Sequence, residues 1–383
     1  MITKVLTGSG SVANAIKLAF PDIIAAYPIT PQTEIVEDIA TMIKNKELFS
    51  RFIKVDSEHS AMSACIGASA AGARVFTATS SHGLMYMAEV VYWAAHSRLP
   101  IVMAVATRSL AAPWSILNEH TDYMIQHSSG WIQAMVENGQ EAFDTTLMAF
   151  KIAEDARVSL PFMVGLDGFI LTHTSMPVSM PSKEEIQEFI GKRIPVFEID
   201  INNPLTFGNV IDQNYFMEMR YKMYLAMQES KQVINAVSKA YATITGREYG
   251  LIDCYNCDDA DHIVVTMGAS SGDAKVASNL LRKEGIKAGV LRVRVMRPFP
   301  GPEIVAALSK ASYISIVERA FSPGIGNILA HEIKSVLYDS GRHPIVRSYI
   351  AGLGGRDITP NDYIKVVKST IKNKGDAWVN LVM

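Results

Sequence analysis

The sequence predicts an α/β fold with a mainly parallel sheet, repeated in a second α/β unit. Two observations carry this. Short apolar or β-branched runs alternate with helical patterns along the chain, and several of those runs carry no polar residue on either face, as strands covered on both sides do. The chain is also 383 residues long with 49% hydrophobic residues, enough for more than one core.

The strand candidates come in order as "DIIAAY" (22–27), "FIKV" (52–55), "RVFTAT" (74–79), "IVMAVAT" (101–107) and "PFMVGL" (161–166). Between them, "TEIVEDIATMIKN" is an amphipathic helix, "EHSAMSACIGASAAG" a helix of small residues, and "LMYMAEVVYWAAHS" a helix ending before Leu99-Pro100. The Pro- and Asn-rich stretch 175–208 reads as a wrapping connection. One long helix pattern follows and is closed by Gly246. A polar segment, "CYNCDDADH", then leads into "IVVTMG", "AGVLRVRV", "YISIVE" and "PIVRSYI" with helices between. The units are therefore placed at 1–255 and 256–383.

Charge and composition exclude several functions. The formal net charge is −2 and no basic run is present, which argues against nucleic acid or an anionic membrane as partner. The first ten residues lack the apolar stretch of a signal peptide, and no segment approaches the about 20 apolar residues that span a bilayer. A cytoplasmic location is expected. Three cysteines fit a reducing compartment. Cys254 and Cys257 have C-x-x-C spacing, but an iron–sulfur cluster needs about four thiolates, so the pair reads as incidental thiols in a linker. No metal site is expected.

Reactive side chains gather at strand ends. "YPIT" follows the first run, "DSEH" the second, "SSHG" the third and "RSL" the fourth. Ligands of parallel sheets bind beyond the carboxyl ends of the strands. Pro28 and Pro31 restrict the backbone around Thr30 and fix a hydroxyl. Glu58, after Asp56-Ser57, falls in the first turn of a helix. Arg108 can hold a carboxylate with two parallel hydrogen bonds. Such a set suits an enzyme acting on a small anionic substrate. Each residue also has a plainer role: Thr30 as a helix cap, Glu58 as a partner of the helix dipole, Arg108 in a surface ion pair. His59 and His82 read as packing or hydrogen-bonding residues, and "TGSGS" (7–11) as an N-terminal turn rather than a phosphate cradle.

"AAYPITPQT", "KVDSEHSAMSACIGASAAGARVFTATSSHGL", "RLPIVMAVATRSL", "MRPFP" and "AGLGGRDITP" together resemble α subunits of pyruvate:ferredoxin oxidoreductases, members of the 2-oxoacid:ferredoxin oxidoreductase family. The resemblance runs in order over nearly the whole chain. It implies a thiamine diphosphate enzyme, with a pyrimidine-type domain followed by one like the C-terminal domain of transketolase. Glu58 then corresponds to the acid that meets the cofactor's pyrimidine, with Tyr27, Pro28 and Ile29 beside it, and Thr30 and Arg108 correspond to substrate contacts. The resemblance also implies a cofactor shared with a β subunit, with Mg²⁺ and [4Fe–4S] clusters in partner subunits and none here. Further expected partners are γ and δ subunits, ferredoxin, coenzyme A and pyruvate. Branched-chain 2-oxoacids or 2-oxoglutarate are the alternative substrates, and an E1-type dehydrogenase component is the alternative class. "GLDGF" with the later "INN" resembles the diphosphate motif of thiamine enzymes only in part, and reads as structural.

Overall fold

A computed structural model describes residues 1–375 and 377–382. Its larger sheet has seven strands in the order Val295–Arg297, Ile132–Met135, Phe162–Asp167, Ile101–Thr107, Val75–Thr79, Ile23–Ala26, Arg51–Lys54. Every pairing in it is parallel except that of Val295–Arg297 with Ile132–Met135. The strands 75–79, 101–107 and 162–167 are buried at every position, in keeping with their largely apolar runs, and Thr77, Thr79 and Asp167 are buried with them. The second sheet orders six strands as Ala377–Trp378, Ile345–Ile350, Tyr313–Glu318, His262–Thr266, Ala288–Val293, Ile252–Tyr255, parallel but for the last pair. A mainly parallel α/β architecture in two large sheets is therefore present, beside a third sheet of two strands.

The chain order creates a switch point in the first sheet. From Ile23–Ala26 the chain steps to the neighbour on one side, Arg51–Lys54, and then crosses to the other side at Val75–Thr79. Such a reversal opens a crevice beyond the carboxyl ends of the strands. The helix Glu58–Ala70 follows Arg51–Lys54 and packs on Ile23–Ala26, burying Ala61, Met62, Cys65, Ser69 and Ala70, with the Cys65 thiol 4.0 Å from the Ala25 carbonyl. Ser57 starts it, accepting the Ser60 N–H at 3.1 Å.

Several local readings need correction. "TGSGS" is no turn: Thr7 caps a helix, Gly8–Ala19, that begins inside the motif, and a strand, Ile2–Leu6, precedes it and pairs with Met176–Met180. That strand is exposed along its length, so no burial pattern marks it in the sequence. The helix expected over 84–97 is two, Ser81–Tyr86 and Ala88–His96, meeting at Met87. The connection over 175–208 contains the strand Met176–Met180 and a helix, Lys183–Ile190, held by a Ser182/Glu185 capping box. Cys254 lies in the edge strand Ile252–Tyr255 rather than in a linker, while Cys257 is buried with its thiol toward the Val290 carbonyl. The long helix spans Gln213–Thr245 and ends at Gly246 with φ 72°, as its sequence predicts.

The run "AGVLRVRV" serves both sheets. Residues 288–293 complete the second sheet and 295–297 cross to the first. At the crossing Arg292 and Arg294 bracket buried Glu141 at 2.8 and 2.6 Å. Burial raises the Glu141 pKa, but the two guanidiniums outweigh it, so the carboxyl stays below its usual range.

Candidate active site

The crevice is built from four turns that leave adjacent strands. The first, 27–32, is tied down by Gln32, which is fully buried. Its amide donates to the Ala78 carbonyl at 3.0 Å and its oxygen accepts the Ile29 N–H at 3.2 Å. Thr30 is exposed in this turn. The helix behind it starts at Thr33 with Gln32 at the cap position, so Thr30 is not a cap and its hydroxyl bonds no described residue. Tyr27 and Pro28 are exposed beside it and Ile29 is half-buried.

Arg108 closes onto this turn from the end of Ile101–Thr107. Its Nη1 donates to the Thr30 carbonyl at 2.6 Å, its Nη2 lies 3.4 Å from His82 Nδ1, and the Trp114 ring covers its face with the ring centroid 5.1 Å from Cζ. The side chain is only 6% exposed, yet it makes no salt bridge among the described residues, and its Nε is buried without a partner. Burial pulls its pKa down, and the Asp122 charge opposes that only from a distance. A desolvated cation with spare donors is the electrostatic signature of an anion site.

Glu58 stands at the neighbouring strand end, 7% exposed, and its carboxylate bonds no described residue. Gly83 lies against it: a methyl there would come within 2.6 Å of both Glu58 Oε1 and Thr79 Oγ1. Gly83 belongs to the same turn as His82, so contacts run from Glu58 through 82–83 to Arg108 and Thr30. The structure brings Arg108 into direct contact with the Thr30 carbonyl and links Glu58 to them through Gly83 and His82.

Asp122 was not legible as a site residue, because it lies fourteen positions beyond Arg108 with no local motif. Fully buried, it accepts backbone N–H bonds from Ser81 (2.8 Å), Arg108 (3.1 Å) and Tyr123 (2.8 Å), which pins two of the turns together. Burial pushes its pKa up to about 7 against those bonds. His82 adds a second pin, with Nε2 accepting the Ala111 N–H at 3.0 Å.

"GLDGF" supports these turns from below. Asp167 accepts from Asn118 at 2.6 Å and from the Ala269 N–H at 2.8 Å, and sits 2.9 Å from His120 Nε2. Gly168 packs its Cα against the Thr107 carbonyl and the Pro31 ring, where no side chain fits. Among the described residues no group of three or more His, Cys, Asp or Glu could hold a metal ion.

The fold and site thus define a two-sheet α/β protein with a buried acid and a buried, unpaired arginine at a switch-point crevice. Comparison with known proteins specifies which one. Residues 14–239 match the family described as pyruvate flavodoxin/ferredoxin oxidoreductase, thiamine diphosphate-binding, and residues 260–363 match the pyruvate:ferredoxin oxidoreductase core domain II. The pyruvate synthase subunit PorA of Methanothermobacter thermautotrophicus is 44% identical over 100% of this chain and 99% of its own. The ketoisovalerate oxidoreductase subunit VorA of Pyrococcus horikoshii is also 44% identical, over 99% of this chain and 98% of its own. A solved 2-oxoglutarate:ferredoxin oxidoreductase from Magnetococcus marinus shares the fold at TM-score 0.75 and 20% identity, covering 96% of this chain, which spans 65% of that one. A split-gene transketolase has the same layout at TM-score 0.56 and 13% identity, over 97% of this chain and 100% of its own. The chain belongs to the pyruvate flavodoxin/ferredoxin oxidoreductase family.

Proposed function

We propose that this chain is the α subunit of a thiamine diphosphate-dependent 2-oxoacid:ferredoxin oxidoreductase. It converts pyruvate, coenzyme A and oxidised ferredoxin to acetyl-coenzyme A, CO₂ and reduced ferredoxin. The observation that carries this reading is Arg108: a buried guanidinium without an ion-pair partner among the described residues, in contact with the Thr30 turn at the switch point. An unpaired buried cation is costly unless an anion completes it.

The residues fit the pyrimidine side of thiamine diphosphate. Glu58 is a buried carboxyl with no partner among the described residues, and Gly83 lies so close to it that a β-carbon there would not fit. Tyr27, Pro28 and Ile29 would form the backbone edge beside it. When bound, the cofactor supplies a carbon nucleophile and an electron sink for decarboxylation. Glu58 holds a proton at the pyrimidine nitrogen, which is general acid–base work. Arg108 orients the 2-oxoacid by its carboxylate, and the Thr30 hydroxyl donates a hydrogen bond near the reacting carbonyl. Asp122, His82 and Gln32 keep these groups in register without touching the substrate.

In this reading the cofactor is completed by a β subunit. Mg²⁺ and [4Fe–4S] clusters belong to partner subunits, γ and δ subunits complete the assembly, and the enzyme works in the cytoplasm of an anaerobic metabolism. No helix of the described residues is long and apolar enough to cross a membrane. The division into functional domains at 1–255 and 256–383 is likewise proposed. A second reading takes a branched-chain 2-oxoacid as substrate, since a ketoisovalerate subunit is as similar as a pyruvate subunit. Purification of the native complex and a panel of 2-oxoacids, with ferredoxin reduction as readout, tests both. Co-purification with a lipoyl protein instead of iron–sulfur subunits would overturn the assignment.

A further inference from the structure

We infer that Trp114 sets the substrate range, as a wall that admits a short unbranched 2-oxoacid and turns away branched ones. The inference rests on Arg108 as the carboxylate's partner, and neither the family match nor the identities distinguish the two substrate types. The Trp114 ring lies over the Arg108 guanidinium at 5.1 Å and edge-on to the His82 ring at 6.1 Å. It is nevertheless 55% exposed, so much of its surface is open beside the anion site. In a 2-oxoacid only the carbonyl carbon separates the carboxylate from the first side-chain carbon. With the carboxylate on Arg108, branches on that carbon come within reach of the ring.

A wall discriminates only if it cannot step aside. The Trp114 loop is closed on itself by Ser109, whose hydroxyl donates to the Ser115 carbonyl and accepts the Ser115 N–H at 2.9 Å. His82 holds the Ala111 N–H. From the other side the glycine loop of the second sheet presses on it. The Gly355 N–H donates to the Asn118 carbonyl at 2.8 Å, and Gly355, at φ 78°, abuts Leu117 so closely that a Cβ there would overlap the leucine Cβ. The second unit, which contributes none of the residues placed at the substrate, thereby fixes the position of the wall.

The experiment uses the assembled enzyme and measures kcat/KM for pyruvate and for 3-methyl-2-oxobutanoate, with melting temperature as control. Trp114→Ala should raise the ratio of branched to unbranched acid at least tenfold, within the range of about 10–200-fold that a methylene-sized difference commands in a fitted pocket. Trp114→Leu is the second variant should alanine destabilise the loop, and should shift the ratio the same way. Gly355→Ala, remote from the substrate, should move the ratio through Leu117 by a smaller factor. A Trp114→Ala or Trp114→Leu enzyme that melts like wild type and keeps the ratio within twofold overturns the inference. Arg108→Lys separates this from the site assignment: it should depress both acids alike. Retention of both activities in Arg108→Lys sinks the carboxylate reading itself, whatever the Trp114 variants do.

Discussion

Substituting Gly83 by alanine tests the role of Glu58 without changing any ionisable group. A β-carbon at Gly83 would stand 2.6 Å from Glu58 Oε1 and Thr79 Oγ1, and 2.8 Å from Glu58 Cγ. An ordinary carbon–oxygen contact is about 3.3 Å, so both oxygens are roughly 0.7 Å too close. Thr79 is β-branched and fully buried within a strand, and yields little, so the short helix Ser81–Tyr86 must tip away from it. The Glu58 carboxyl, which bonds no described residue, is displaced as well. A displacement approaching 1 Å of a positioned catalytic group costs on the order of 10²-fold in rate, or about 2.7 kcal/mol. Gly83→Ala in the assembled enzyme should therefore lower kcat about 10²-fold while cofactor content stays near wild type, with the melting temperature lowered by the overpacking at Thr79, about 1–3 kcal/mol. The assay is pyruvate-dependent reduction of ferredoxin, run also on a Glu58→Gln background. There Gly83→Ala should add little further loss, because both changes act on one group. An enzyme within threefold of wild type would refute the reasoning, and so would a loss that multiplies in full on the Glu58→Gln background.

Three further outcomes follow from the site. Arg108→Lys and Arg108→Ala should each lower kcat/KM for pyruvate by about 2–4 kcal/mol in transition-state terms with cofactor content unchanged, since an ammonium lacks the planar fork; tolerance of lysine would reduce Arg108 to a structural cation. Thr30→Val should cost kcat/KM about tenfold, the loss of one hydrogen bond of about 1.4 kcal/mol, with no change in melting temperature because the hydroxyl bonds none of the described residues; equal activity would remove Thr30 from the substrate. Burial raises the Asp167 pKa, but His120, Arg319 and the Ala269 N–H outweigh it and hold the carboxyl at about 2. The native state then binds fewer protons than the unfolded chain, whose Asp titrates near 3.9, so this stability is present above pH 4 and lost as pH falls toward 2. The loss is about 2.5 kcal/mol. Urea midpoints of the chain across that window should fall more steeply for wild type than for Asp167→Asn, and parallel curves would contradict the assignment.

What was legible in the sequence divides by the range of the interaction that encodes it. Burial on both faces leaves unbroken apolar runs, so the strands Val75–Thr79, Ile101–Thr107 and Phe162–Asp167 could be read directly, and with them the strand-end positions of Thr30, Glu58 and Arg108. The helix Gln213–Thr245 announced its end because only glycine takes φ 72° there without strain. Elements stabilised mainly by backbone pairing at the surface carried no such mark, which is why Ile2–Leu6 and the edge strand at Cys254 were missed. The helix break at Met87 was equally silent, since Met85, Met87, Ala88 and Glu89 around it are good helix formers.

The residues that hold the site together escaped for a further reason. Gln32, Asp122, Asp167 and Gly355 act on partners 14 to 237 positions away or across the two sheets, and each looks locally like an ordinary turn or strand residue. Their effect is physical all the same. Asp122 binds the N–H groups of Ser81 and Arg108 with one oxygen, so the turn carrying Gly83 and the turn carrying Arg108 cannot shift independently. Gln32 fixes the Thr30 turn to the strand from which the Gly83 turn departs. The acid, the hydroxyl and the guanidinium are thus mounted on backbone segments locked by buried side chains, and the cost of burying Asp122, Gln32 and an unpaired Arg108 is offset by what that rigidity supplies: a positive site already desolvated before an anion enters it.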